Sequence, residues 1–226
     1  MSVGTSPFLG AAQFGKNARL YRKKFMDDPQ AVLEILEAAY KHGARGIEIV
    51  PVGRIGKAVE IMQQKHHDFV VTGSTAPGPD PMIDKLINMN AKIIFAHGMV
   101  SDKQDDYLLK ILDEISSKGA IPGIALHNPI STIKFAIENT DVKTFLVPFN
   151  LNGLYMGNQK ELEELIDQLN GYSFIGMKTL AAGNLGPDAA MSYIAKHNIC
   201  AVTIGMVSVE EAEVSTKKAL YYLQHK

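Results

Sequence analysis

The chain has 226 residues, 46% of them hydrophobic and 21% charged, with a formal net charge of -1. That length and apolar content suffice for one compact domain spanning 1–226 with a full core, and the balanced charge gives no electrostatic basis for binding nucleic acid or an anionic membrane. A single cysteine, Cys200, excludes an internal disulfide framework and a multi-cysteine zinc cluster; within the apolar run 199–204 it reads as an inert core thiol.

Strand-like and helix-like patterns alternate eight times. The expected strands are Pro7–Ala12, Gly46–Val50, Phe69–Thr72, Lys92–Ala96, Gly123–Leu126, Thr144–Pro148, Ser173–Met177 and Cys200–Ile204. They are short, apolar and β-branched, as strands buried on both faces must be. Between them lie amphipathic segments with helix punctuation. Asp28-Pro29 is an N-cap followed by a proline at the first helical position. Ser101 to Gln104 and Ser208 to Glu211 match the capping-box pattern, and Gly43 and Gly119 stand where helices should stop. About 28 residues per unit is short for a (β/α)8 TIM barrel but sufficient; a doubly wound open sheet would show the same alternation. Three connections look longer than turns: Gly15 to Asp27, which holds Lys16, Arg19, Arg22, Lys23 and Lys24 and reads as an anion clamp or a solvated loop; Gly73 to Pro81; and Leu151 to Asn158.

Five apolar runs end in a residue that can do chemistry: Glu48, His97, His127, Asn150 and Lys178. In a parallel barrel the C-terminal strand ends converge on one face, which carries the active site. The spacing therefore brings a carboxylate, two imidazoles, an amide and an amine to one mouth, and an enzyme acting on a small molecule is the leading reading. His66-His67 and His225 read as solvated helix-end residues, and Met62, Met82, Met89 and Met191 as packing. No basic start followed by an apolar stretch opens the chain, and no run reaches the roughly 20 apolar residues that span a bilayer. A cytoplasmic protein, with homo-oligomerisation left open, is expected.

The C-terminal third carries a resemblance. Ile175-Gly176-Met177-Lys178-Thr179-Leu180-Ala181-Ala182-Gly183-Asn184-Leu185 resembles the seventh strand and following loop of the aldo/keto reductases, and Val202 to Glu211 resembles their eighth strand and the helix start beyond it. Val147-Pro148-Phe149-Asn150-Leu151 is similar to the sixth strand, and Leu9 to Gly15 to the opening one. The resemblance implies a (β/α)8 barrel with NADP or NAD lying across the strand ends, contacted here by Asn150, Thr179, Leu180, Gly183, Gly205 and Ser208. It also implies an aspartate, tyrosine, lysine and histidine in catalysis. Glu48 stands at the aspartate's place and His97 at the histidine's. Where the tyrosine is due the sequence reads Ile49-Val50-Pro51-Val52-Gly53-Arg54, and where the lysine is due it reads Val71-Thr72-Gly73-Ser74. Proton donation, worth about 10²–10⁴ in rate, would then fall to another phenol, Tyr21 or Tyr155. Three readings follow: an NAD(P)-dependent carbonyl oxidoreductase with an altered donor; a lyase, isomerase or hydrolase using a metal at Glu48, His97 and His127, or a Schiff base at Lys178; and a non-catalytic ligand-binding relative. No metal site is assigned among them.

Overall fold

A computed structural model describes residues 1–225. Eight parallel strands close a barrel in chain order: β1 (Ser2–Gly4), β2 (Gly46–Ile49), β3 (Val70–Ser74), β4 (Ile93–Ala96), β5 (Ile121–Ala125), β6 (Thr144–Pro148), β7 (Ser173–Met177) and β8 (Ala201–Ile204). β1 meets β8 through Ser2↔Thr203 and Val3↔Ile204, which completes the ring. The expected (β/α)8 barrel is therefore the fold, and the open-sheet alternative falls.

Side chains alternate across each strand, and the two sets pack into separate cores. Ile47, Ile49, Val71, Ile94, Phe145, Val147 and Phe174 face outward onto the helices. Phe95, Ala125 and Leu146, with Ile93, Ile175 and Met177 against them, fill one side of the barrel interior. The opposite interior is built from Gly46, Glu48, Thr72 and Thr203. Between these small and polar residues and Phe95, Leu146 and Ile175 lies a cavity of about 220 Å³, which Met1, Ser2 and Arg45 also line.

The main helices follow from local chemistry. α2 (Pro29–Lys41) starts where Asp28 Oδ1 accepts the N–H groups of Gln30 and Ala31, as the Asp-Pro pair implied. α3 (Ile55–Lys65) buries Ile55, Val59 and Met62. α4 (Ile83–Asn88), α5 (Gly98–Ser101), α6 (Asp106–Ser117), α7 (Pro129–Asn139), α8 (Gln159–Gln168), α9 (Pro187–Ile194) and α10 (Val209–Gln224) complete the outer layer. Gly43 and Gly119 close helices with φ of 108° and 85°, where glycine carries no Cβ penalty. Among the described residues no helix is long and apolar enough to cross a membrane.

Several local expectations need correction. The first strand is Ser2–Gly4, not Pro7–Ala12: Pro7 lacks a ladder donor, Gly10 turns at φ 62°, and 6–11 fold back on themselves through Leu9 N–H to Thr5 O and Ala11 N–H to Ser6 O. The segment Leu9–Gly15 is thus a run of turns leading into a 3₁₀ turn rather than a strand. The basic stretch beyond it is ordered as a 3₁₀ turn (Ala12–Asn17) and a helix, α1 (Ala18–Phe25), which buries Phe25. Ser101 is the last residue of α5 rather than a cap, and its hydroxyl donates to Ala96 O and His97 O. His97 caps α5 and Asp105 caps α6, accepting from Tyr107 and Leu108 N–H. β3 extends two residues past Thr72, and β5 begins two residues early. Cys200 is exposed rather than in the core. His66 is only part-exposed: its ring stacks on Tyr40 at 3.8 Å and its Nε2 meets Glu37. Met62, Met89 and Met191 are core residues, whereas Met82 is only half-buried at the left-handed start of α4.

Candidate active site

The ends of β2, β3, β4, β5 and β7 bring Glu48, Ser74, His97, His127 and Lys178 to the barrel mouth. Glu48 is buried, and its Oε1 accepts the Ser74 hydroxyl at 2.7 Å. Burial pushes its carboxyl up, offset in part by the Ser74 hydrogen bonds and the Lys178 charge. Sequence reasoning missed Ser74. The period-two rule would have found it had β3 been drawn to its true end, since Ser74 lies two residues past the inward-facing Thr72. A lysine was due there by resemblance; this chain has a serine, and its amine arrives from β7 across the barrel.

Lys178 follows β7 in a left-handed conformation, φ 54°, and Ala181 and Ala182 repeat it at 48° and 57°. Such angles cost non-glycine residues roughly 1–2 kcal/mol each, and strain of this kind gathers at functional loops. The lysine is half-buried, yet among the described residues no carboxylate lies within ion-pair distance of it; every ion pair of the structure uses other cations. Its Nζ sits 5.2 Å from the centroid of the Tyr155 ring. Desolvation lowers the amine to about 8 against the opposing charges of Asp102 and Glu48.

The imidazoles form the other wall. His97 and His127 meet edge to face at 5.3 Å. His97 Nδ1 accepts the Met99 N–H at 3.2 Å, so the neutral ring carries its proton on Nε2. Desolvation, then the charges of His127 and Lys178, holds His97 down at about 4; the same desolvation and Lys178 lower His127. Asp102, unnoticed in the sequence, accepts the N–H groups of His127 and Asn128 and the Thr132 hydroxyl, and so fixes the β5–α7 turn. Gly98 is required by proximity: a Cβ there would stand 2.8 Å from the His127 ring.

The positions expected to contact a dinucleotide are mostly committed elsewhere. Asn150 is fully buried and clips its own loop, donating to Leu154 O and accepting from Leu154 N–H. Gly205 is small because Pro7 packs there, 2.6 Å from where a Cβ would be. Ser208 accepts from Glu211 N–H, while the Glu211 carboxylate takes Val207 N–H. With Glu210 also in the first turn of α10, the Val207 donor is already taken by a carboxylate and the Glu211 donor by the Ser208 hydroxyl, so residues 205–211 do not fit a pyrophosphate as they stand. Leu180 packs on the core, Gly183 turns at φ 91°, and Thr179 keeps a buried hydroxyl without a partner among the described residues. Tyr155 reaches Lys178, whereas Tyr21 packs edge-on against Phe14. Among the described residues no three His, Cys, Asp or Glu side chains converge on a metal-binding position, so Glu48, His97 and His127 do not form the metal centre that one reading required.

Neither a family model nor a curated protein matches the sequence. The solved structures do. The chain is similar to a putative aldo-keto reductase from Pseudomonas aeruginosa, with a TM-score of 0.66 and 13% identity over 98% of this chain and 89% of that one. What the two share is the (β/α)8 barrel fold. An aldo-keto reductase from Klebsiella pneumoniae in complex with NADPH gives 0.58 and 14% identity over 96% and 84%. The barrel is shared more widely: KGPDC from Streptococcus mutans gives 0.60 and 9% identity over 89% and 94%.

Proposed function

We propose that the protein is a carbonyl-transforming enzyme in which the Lys178 amine is the nucleophile, a lyase or isomerase working through an imine. One observation carries this reading: a half-buried lysine at the barrel mouth that forms no ion pair with a carboxylate among the described residues. Burying an unpaired ammonium is costly, so the amine favours its neutral, nucleophilic form, and a value of about 8 places much of that form within reach of neutral pH. Attack on an aldehyde or ketone gives a carbinolamine, and loss of water gives an iminium that accepts the electron pair of a breaking C–C or C–H bond. Glu48, with its carboxyl raised by burial, and the neutral His97 and His127 are the groups that move protons.

The test is borohydride trapping with a panel of small aldehydes and ketones, read by intact mass and peptide mapping. The expected result is a reduced adduct on Lys178, forming faster as pH rises through about 8 and absent in Lys178→Met. Full retention of activity after borohydride treatment in substrate's presence, with no adduct on Lys178, refutes it.

A second reading is hydride exchange with NADP or NAD. The likeness to reductases, one of them in complex with NADPH, and Tyr155 beside Lys178 favour it. It requires the dinucleotide to displace the Glu211 carboxylate from Val207. Saturable binding of NADPH or NADH below millimolar concentration supports it, and no binding removes it.

A further inference from the structure

Charge is distributed unevenly along this chain. The first 26 residues contain Lys16, Arg19, Arg22, Lys23 and Lys24 and no acidic residue, leaving 18 of the 23 basic residues against all 24 acidic ones in the rest. None of the five forms an ion pair with a carboxylate among the described residues. The nearest acids in sequence are Asp27 and Asp28, and the Asp28 carboxylate is committed to capping α2.

The fold places this segment at the mouth. The 12–17 turn packs on the 181–183 turn, which begins three residues after Lys178. Lys24 Nζ donates to Val207 O in the loop after β8, so the last turn of α1 is held beside that loop. Tyr21 and Phe25 anchor the helix, while Arg19, Arg22 and Lys23 are exposed. Their i, i+3, i+4 spacing sets the three on one helix face. Guanidinium forks match the oxygens of a phosphoryl group in pairs. The Glu211 carboxylate on Val207 N–H disfavours an anion at the start of α10 and leaves α1 as the cationic element beside that loop.

Taking Lys178 as the imine-forming amine, we infer that Arg19, Arg22 and Lys23 bind the phosphoryl group of a small phosphorylated carbonyl compound whose carbonyl reaches that amine. The experiment compares glyceraldehyde 3-phosphate with glyceraldehyde in borohydride trapping at Lys178. It uses the whole protein and the Arg19→Gln, Arg22→Gln, Lys23→Gln variant, with inorganic pyrophosphate as a separate probe of melting temperature. Half-saturation at least tenfold lower for the phosphorylated compound is expected, with that advantage lost in the variant and weakened by salt. Equal half-saturation of the two compounds overturns the phosphoryl site and leaves the imine intact. No adduct with either, but a pyrophosphate-induced rise in melting temperature that the variant lacks, overturns the imine and leaves an anion site. Absence of both effects overturns both.

Discussion

Replacing Lys178 by methionine removes the charge while keeping a long flexible stem. Lowering the amine from 10.5 to about 8 corresponds to about 3 kcal/mol by which the charged form weakens the fold. Because the folded value lies below the unfolded one, that cost is complete below about pH 8. It shrinks as pH rises and vanishes near 10.5, where the unfolded chain also loses its proton. Lys178→Met is therefore expected to be more stable than the parent at pH 7, by about 3 kcal/mol, or roughly 6–12 °C in melting temperature for a chain of this size. The gap should close steadily between pH 8 and 10.5. Paired thermal and urea denaturation from pH 6 to 11 measures it. Equal stability at pH 7, or a gap indifferent to pH, would mean that the amine is solvated or paired, and the nucleophile argument would lose its footing. A gain in stability together with loss of activity is the trade expected where a strained, desolvated group serves function.

Two further substitutions test the surroundings of the site. Asn150→Ala removes both side-chain hydrogen bonds across the 150–154 turn, leaving the backbone bond from Gly153 N–H to Asn150 O, and should cost about 1–3 kcal/mol; hydrogen exchange at Leu154 should speed up with it, and unchanged protection there would return Asn150 to the pool of ligand contacts. Thr203→Val replaces a buried hydroxyl without a hydrogen-bond partner among the described residues by an apolar group of the same shape and should stabilise by up to about 1 kcal/mol in urea denaturation. A loss instead would show that ordered water in the cavity that Glu48 lines satisfies that hydroxyl.

Particular residues show why the site was partly legible in advance. Glu48, His97, His127 and Lys178 each end an apolar run, and in a parallel barrel that position alone brings them to one rim. Ser74 and Asp102 gave no such signal. Ser74 matters because β2 and β3 pair with Glu48 opposite Thr72, and Asp102 because α5 turns it back onto the start of α7. The first strand was misplaced because Pro7 to Ala12 is more apolar than Ser2 to Gly4. Strand pairing, not hydrophobicity, decides which of the two joins β2 and β8.

The sequence by itself determined the eightfold alternation of strands and helices, the place of most strands, and which polar groups end the apolar runs, since period and punctuation are local properties written residue by residue; closure of the barrel through β1 and β8 was decided by tertiary pairing. Only the tertiary structure decided the state of those groups. It left Lys178 half-buried without an ion-paired carboxylate among the described residues, kept His97 neutral, committed Asn150 and Ser208 to the backbone, and tied Lys24 of the basic helix to the loop after β8. Each of these depends on which distant side chains come near and which carboxylates do not, and spacing along the chain carries no record of that.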